Sequence, residues 1–373
     1  MKATHLICIF LFAFSGCNPK TEVIGSNSPT QWLTFEGKPD KPKIVLISGD
    51  EEYRSEEALP QLAKILSTKH GFNCTVLFAQ DPEKPGIVNP NYARNIPGLE
   101  SLETADLMII FTRFRALPDE QMKYIDDYLK SGRPVIGIRT ATHAFNFSKN
   151  DSASQWKQYG NYYKGDDEWK DGFGRLVLGE NWVSHHGKHK HQSTRGIPAQ
   201  GQEQHPILNG IAQGEIWGPT DVYGVRLPLP GDSQPIVLGQ VVNRTGDYDE
   251  NDILYGMRFT DNVVAGVEVE KDKAGKETSI NRNEPMMPIA WIRSYQIPGG
   301  LKGKAFTSTI GAATDLLTEG TRRMFVNSVY WSLNLDVPEK ANVDLIGDYQ
   351  PSAYSFKEDK YWIDKSQRVS SFQ

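Results

Sequence analysis

The chain has 373 residues, 38% of them apolar and 23% charged, with a formal net charge of −5. Such a composition suits a soluble globular protein of one large or two small domains. The negative balance and the absence of a long basic run argue against nucleic acid as a partner.

In chain order, the first segment is not part of a fold. Lys2 supplies a thin positive start, and "LICIFLFAF" is an apolar run too short to span a bilayer. "FSGC" then puts small residues just before Cys17. Residues 1–17 read as a lipoprotein signal in which Cys17 is lipidated and becomes the mature N-terminus; a simple secretion signal cleaved nearby is the alternative. Residues 18–42 read as a polar tether. The expectation is an exported, lipid-anchored protein of the bacterial cell envelope that meets the membrane only through its anchor. Of the three cysteines, Cys8 falls in the signal and Cys17 carries the lipid. Cys74, inside "NCTVLF", reads as a buried structural thiol rather than a nucleophile.

"PKIVLIS" (42–48) is a short β-branched run and predicts the first strand. A helix follows, with Ser55 as N-cap, Glu56 and Glu57 in its first turn, and a stripe of Leu59, Leu62, Ala63, Ile65 and Leu66. Pro60 is tolerable there only within the first turn, and Gly71 ends the helix. "NCTVLFA" and "LMIIFT" predict two further strands. "PDEQMKYIDDYLKSG" (118–132) is the clearest helix: Pro118 suits its first position, Met122, Ile125 and Leu129 form its buried stripe, and Gly132 its cap. "PVIGI" (134–138) predicts the fourth strand. This alternation implies a parallel sheet with helices on both faces.

Residues 146–215 have little periodicity and are rich in Gly, Trp, Tyr, His and charge, as functional loops are. "PIVLGQVV" and "MPIAWIRSY" restore strand character, and "VAGVEVEKDKAGKETSI" between them reads as a hairpin or loop excursion. "TEGTRRMFVNSVYWSL" is a final amphipathic helix. The reading is one α/β domain over 43–335, followed by a C-terminal extension, 336–373, wrapped on the core.

Four stretches carry a family resemblance: "GRPVIGIRTATHAF" (132–145), "HPILNGI" (205–211) with "WGPTDVY" (217–223), "PIAWIRSY" (288–295), and "GKAFTSTIGAATD" (303–315) with "RRMFVNSVYWSL". Their order resembles the trehalose-utilisation (ThuA-like) family of the class I glutamine-amidotransferase-like superfamily. The resemblance implies a flavodoxin-like, doubly wound, mainly parallel sheet with long irregular insertions. It also implies metabolism of trehalose-like or oxidised (keto) disaccharides. Two departures stand out: Gly311-Ala312 replaces a Gly-His of many relatives, and Asp50, Glu51 and Glu52 stand where a His often follows the first strand.

Amidotransferases of this fold carry a run like Pro-Val-Leu-Gly-Ile-Cys-x-Gly. Laid against it, "PVIGIRTA" puts Arg139 on the nucleophile's position, and an arginine stays protonated and accepts no hydrogen bond. Ala141 also replaces the glycine of the sharp turn. Glutamine amidotransferase chemistry is therefore excluded. Arg139 instead reads as a planar fork for a ligand, or as an ion pair to Glu51, Glu52 or Asp221 that braces the loops. Thr140 beside it, Glu51, Tyr53 and Arg54 after the first strand, and Trp182 are further candidates for substrate contact.

His185, His186, His189 and His191 crowd "WVSHHGKHKHQSTRG", with His205 following and His143 at the fourth strand's tip. Imidazoles at this density suit proton transfer or metal binding. The spacing matches no zinc motif, and no glycine-rich nucleotide fingerprint follows the first strand. Asp221 and Tyr223 alternate on a predicted strand and face one side. The catalytic candidates are thus His143, His185, His186, Asp221 and Tyr223, gathered around Arg139. A solvated loop is the bland alternative for the histidines, and a buried role for His205. Trp156, Tyr159, Tyr162, Tyr163, Trp169, Trp182 and Trp217 are candidates to line a sugar groove or simply to fill the core.

The functional expectation is an enzyme of carbohydrate metabolism, a hydrolase, lyase or isomerase working by His/carboxylate acid–base chemistry on a small carbohydrate. Two alternatives stay open. One is a non-catalytic sugar-binding or scaffold lipoprotein. The other is a metal-dependent hydrolase using the 185–191 block, with His185, His186 and His189 as ligands of a divalent metal. No motif implies any other cofactor.

Overall fold

A computed structural model describes residues 29–148, 151, 154–271 and 274–373. The signal, Cys17 and the first part of the tether lie outside the described residues. Strand β1 (Trp32–Phe35) falls within the stretch read as tether, yet it pairs antiparallel with β3 (Asn73–Phe78) at the sheet edge. Leu33 and Phe35 turn inward and Trp32 and Thr34 outward. Four alternating residues among polar neighbours are too weak a signal to separate from a linker.

β2 (Lys43–Gly49), β4 (Leu107–Thr112) and β5 (Val135–Ile138) are buried along nearly their whole length, as strands covered on both faces must be. They join β3 and β15 (Gly303–Ser308) in a parallel array ordered β3-β2-β4-β5-β15. Beyond β15 the sheet continues antiparallel through β14 (Met287–Tyr295), β10 (Gln234–Asn243), β7 (Gln192–Pro198) and β8 (Trp217–Gly218), with β11 (Val263–Val264) against β10. The fold is thus mixed α/β around one large sheet, parallel at its centre. β7 escapes the sequence pattern because its buried residues Gln192, Ser193 and Thr194 are polar. β12 (Val267–Lys271) and β13 (Glu277–Asn281) form the expected hairpin excursion.

Helices α1 (Ser55–His70) and α3 (Glu319–Ser332) cover one face and α2 (Asp119–Lys130) the other. β4 shows why. Leu107, Ile109 and Phe111 pack with Leu59, Leu62 and Phe325, while Met108 and Ile110 pack with Met122, Ile125 and Leu129. Cys74 is buried in β3, and burial pushes its thiol up. In the C-terminal extension, Tyr354, Trp362 and Val369 are buried, Trp362 from the short helix α4 (Asp359–Lys365).

Two local expectations for α1 fail. Ser55 is not its N-cap; Arg54 holds that position at φ 59°, and the Ser55 hydroxyl instead accepts the Asp50 N–H (3.0 Å) and pairs with Ser48 Oγ (2.8 Å). Pro60 lies in the second turn, where it leaves the Glu56 carbonyl without its helical partner. The buried stripe holds the helix together around it. Gly71 closes the helix as expected, at φ 75°.

Glu56 is buried beside Arg54 at 3.6 Å, and burial raises its carboxyl to about 7. Between its ordinary 4.5 and that value the folded chain keeps a proton that the unfolded chain has released. Stability from this group therefore falls as pH rises through the window. Glu56→Gln is expected to melt higher than the parent at pH 8 and close to it at pH 5. A gap in melting temperature that does not change with pH would show Glu56 to be ionised throughout.

Candidate functional site

The strand order reverses between β2 and β4, and crevices at such switch points are where open α/β sheets bind ligands. The loops leaving β2, β4 and β5 meet there. Each carries a non-glycine residue at positive φ: Arg54 at 59°, Phe114 at 49° and Arg139 at 50°. Such strain persists only where surrounding contacts hold it, and it gathers at functional sites.

Asp50 ties two of these loops together. Its Oδ1 accepts the N–H groups of Glu52 (2.8 Å) and Tyr53, and its Oδ2 accepts the Thr140 hydroxyl (2.6 Å). Thr140 is fully buried in that role and offers a ligand nothing. Glu51 turns outward to Arg113 and Arg115 (2.7 Å to the latter) and pins β2 to β4. Arg54 is buried too, donating to the carbonyls of Glu51 (2.7 Å) and Ser355 (2.8 Å). Thr140, Glu51 and Arg54 are therefore structural ties rather than the ligand contacts expected of them.

Arg139 follows them. Its side chain is 0% exposed. Nη1 donates to the carbonyls of Asp221 (2.9 Å) and Thr309, and Nη2 reaches Asp221 Oδ1 at 3.3 Å. The guanidinium is sandwiched between Tyr53 (4.3 Å) and Tyr223 (3.8 Å). Of the two expectations for this residue, the brace is the one observed, with Asp221 as the partner. The same sandwich removes Tyr53 and Tyr223 from the surface, and burial raises both phenols. Tyr223 forms the floor of the site, its ring under Arg139.

What Arg139 braces is the centre of the site. β6 (Ser184–His185) pairs with β9 (Tyr223–Gly224) and brings His185 alongside Tyr223. His185 Nδ1 lies 2.8 Å from Asp221 Oδ2, and the ring is 39% exposed. His189 Nδ1 lies 3.0 Å from Asp221 Oδ1, while its Nε2 faces Glu52 Oε1 at 3.3 Å. Gly187 permits this return, since a Cβ there would sit 3.3 Å from the Asp221 Cβ. Burial alone would push the Asp221 carboxyl up, but two imidazoles and Arg139 outweigh it and hold the group below the usual range. Glu52 has weaker help. Burial and the neighbouring Asp50 raise its carboxyl to about 7.

His186 leaves the site. Adjacent strand residues point to opposite sides, and its Nε2 lies 2.8 Å from the Arg282 carbonyl. His191 stacks on Tyr248 (5.1 Å), and His205 Nδ1 accepts the Ile207 N–H (3.2 Å). His143 does enter. It is buried against Phe114 (4.9 Å) and Trp182 (5.4 Å), with Nδ1 3.2 Å from Thr142 Oγ1. Burial, then Arg113 and Arg139, push its pKa well down, so it is a neutral imidazole. Among the described residues its Nε2 has no hydrogen-bond partner. Of the aromatic candidates, Tyr159 and Trp169 pack at a tilt in the core (4.1 Å) and Trp217 is buried, whereas Trp182 borders His143 and His185.

Glu52, Tyr354 and Arg113 escaped the sequence reading as site residues. Glu52 stands in a run of three acids with nothing local to rank them. Tyr354 arrives from the C-terminal extension, stacking on Tyr53 (5.4 Å) and edge-on to His189 (5.3 Å). The acid run was the only signal that pointed this way.

No family model and no curated protein matches the chain. Among solved structures it is similar to a protein named as ThuA-like from Parabacteroides merdae ATCC 43184, at 12% identity over 86% of this chain and 100% of that one, with a TM-score of 0.44. A second, also named as ThuA-like, is from Bacteroides uniformis ATCC 8492: 13% identity, 79% and 93% coverage, TM-score 0.40. Likeness at this level decides neither fold nor chemistry, which stand on this chain's own residues.

The donor set also suits a cation. One ligand atom each from His185, His189 and Asp221 lie within 4.8 Å of one another. Glu52 behind His189 Nε2 is the outer carboxylate that metal-bound imidazoles commonly carry.

Proposed function

We propose that the chain is an enzyme of carbohydrate chemistry in which His185 Nε2 takes a proton from a sugar carbon or hydroxyl. One observation carries this reading: His185 Nδ1 is held by a buried, ionised Asp221 while the rest of the ring meets solvent. With Nδ1–H donated to Asp221, Nε2 carries the lone pair and faces outward. Asp221 then stabilises the imidazolium that forms, and Arg139 keeps Asp221 from turning away. Glu52, with a carboxyl near 7, is suited to keep a proton at neutral pH and share it with His189 Nε2, which holds His189 with its Nδ1 on Asp221. Neutral His143 can accept a hydrogen bond from a substrate hydroxyl at Nε2.

Several features favour a neutral, polyhydroxylated substrate. Arg113 and Arg115 are both paired with Glu51, near Asp50, and Arg139 with Asp221, so no unpaired guanidinium calls for a charged ligand. Trp182 offers a flat ring beside the base. The ordered motifs that resemble ThuA-like sequences point to trehalose-like or keto-disaccharides. We read the parallel array, in the order 2-1-3-4-5 of its own strands, as the flavodoxin-like doubly wound half of the fold. The lipid anchor at Cys17 and a cell-envelope location belong to the same reading.

The convergence of His185, His189 and Asp221 favours a second reading, a metal-dependent hydrolase. Those three residues would hold the ion, which would supply Lewis-acid polarisation of a sugar oxygen. The test combines both. The purified soluble form is assayed against trehalose and 3-keto-trehalose, with elemental analysis and chelation alongside. Turnover by a metal-free preparation supports the acid–base enzyme. Near-stoichiometric metal, with activity lost on chelation, selects the metal reading. Binding without turnover leaves the sugar-binding lipoprotein.

A further inference from the structure

The C-terminal extension enters the site through one side chain. Tyr354 is fully buried, and its ring packs edge-on to His189 (5.3 Å, 72° between planes) and stacks on Tyr53 (5.4 Å). Its hydroxyl donates to the Pro219 carbonyl (3.1 Å), two residues before Asp221. Tyr354 thus touches both the imidazole that Asp221 holds and the segment that carries Asp221.

Tyr354 is held in its turn. Its carbonyl accepts the Tyr255 hydroxyl, and the Ser355 carbonyl accepts Arg54 Nη2 (2.8 Å). Ser352 donates its N–H (2.7 Å) and its hydroxyl (2.8 Å) to Glu57. Phe356 lies on the Arg113 guanidinium (4.8 Å). Residues 352–356 are therefore fixed to the segments that follow β2 and β4.

His189 needs such a support. It sits in a turn, followed by Lys190 at φ 62°, and its side chain is 27% exposed. Water competes there for its bonds to Asp221 and Glu52, which lowers what each bond contributes. Ring packing supplies direction, because edge-on contacts have a preferred geometry. Tyr354, itself stacked on Tyr53, sets the plane in which Nδ1 meets Asp221 and Nε2 meets Glu52.

We propose that Tyr354 is a positioning residue through which the C-terminal extension holds His189 on Asp221. The extension then completes the candidate site as well as covering the core. Tyr354 acts through His189 and not on a substrate. The kinetic arm of the test rests on the acid–base reading; the arm that observes His189 directly is independent of turnover.

The test compares, in the full chain, Tyr354→Leu, which removes the ring, with Tyr354→Phe, which loses only the hydroxyl. Val369→Ala, buried in the same extension where its N–H meets the Gly86 carbonyl (2.9 Å), controls for general destabilisation. Should Tyr354→Leu fail to fold, Tyr354→Met takes its place, since its flexible chain fills irregular gaps. Nitrogen NMR of the histidine-labelled chain at neutral pH reads the His189 ring, assigned by its loss in His189→Gln. A fixed Nδ1 proton is expected in the parent, Tyr354→Phe and Val369→Ala, and the averaged signals of exchanging tautomers in Tyr354→Leu. With 3-keto-trehalose, Tyr354→Leu should lower kcat about 10²-fold with KM little changed, the cost of misplacing a group by about 1 Å. The other two variants should stay within a few-fold. No fixed proton in the parent, its persistence in Tyr354→Leu, or its equal loss in Tyr354→Phe or Val369→Ala would each overturn the proposal. A proton lost only with the ring, in a chain without turnover, would sustain the positioning role and reject the catalytic reading instead.

Discussion

His185→Gln is expected to lower kcat about 10²–10⁴-fold, the usual contribution of a positioned general base. Stability should fall by no more than about 1 kcal/mol, the net worth of a hydrogen bond, because His185 is tied to the buried Asp221 but its ring is otherwise partly exposed. Glutamine keeps an amide that can donate to Asp221 Oδ2 but has no nitrogen able to take a proton. The folded site and its electrostatics therefore persist while the proton acceptor is lost. Steady-state kinetics with 3-keto-trehalose, read beside a thermal melt, checks both halves. Turnover within a few-fold of the parent would remove His185 from the chemistry. A large fall in melting temperature would make it a structural residue instead.

Arg139→Lys should do the reverse. The guanidinium is sealed between Tyr53 and Tyr223 and binds two carbonyls and a carboxylate from separate segments. Lysine keeps the charge but loses the planar fork and the stacking geometry, and part of the buried Asp221 is left without its partner. Breaking a buried pair of this kind costs about 3–5 kcal/mol. Denaturant unfolding should show that loss first, with activity falling because Asp221 no longer holds His185 and His189. A variant that melts like the parent while losing only ligand affinity would return Arg139 to direct substrate contact.

Much of the scaffold was legible because it is written locally. Pro118, the Met122–Ile125–Leu129 stripe and Gly132 delimit α2 within its own sequence. The apolar runs at 43–49, 107–112 and 135–138 announce buried parallel strands. The site was legible only in part. His143, His185, Asp221 and Tyr223 do converge around Arg139: His143 follows the tip of β5, and the separate β6–β9 pair brings the other three to it. His186 could not be told from His185 without the β6–β9 pairing, which sends neighbouring imidazoles in opposite directions.

Hydrophobic periodicity and punctuation by proline and glycine settled the central strands, the helices and the tip of β5 that borders the candidate site, since each is a property of a few consecutive residues. Only the tertiary structure decided which acid meets which base. Glu52 was chosen over Glu51 because Asp50 captures the turn and Arg113 and Arg115 claim Glu51. Arg139 became a brace because Tyr53, Tyr223 and Thr309 close over it from three distant segments. Polar partners that find each other across 30 to 170 residues leave no periodic trace in the chain; burial and hydrogen-bond satisfaction select them only when the sheet has assembled.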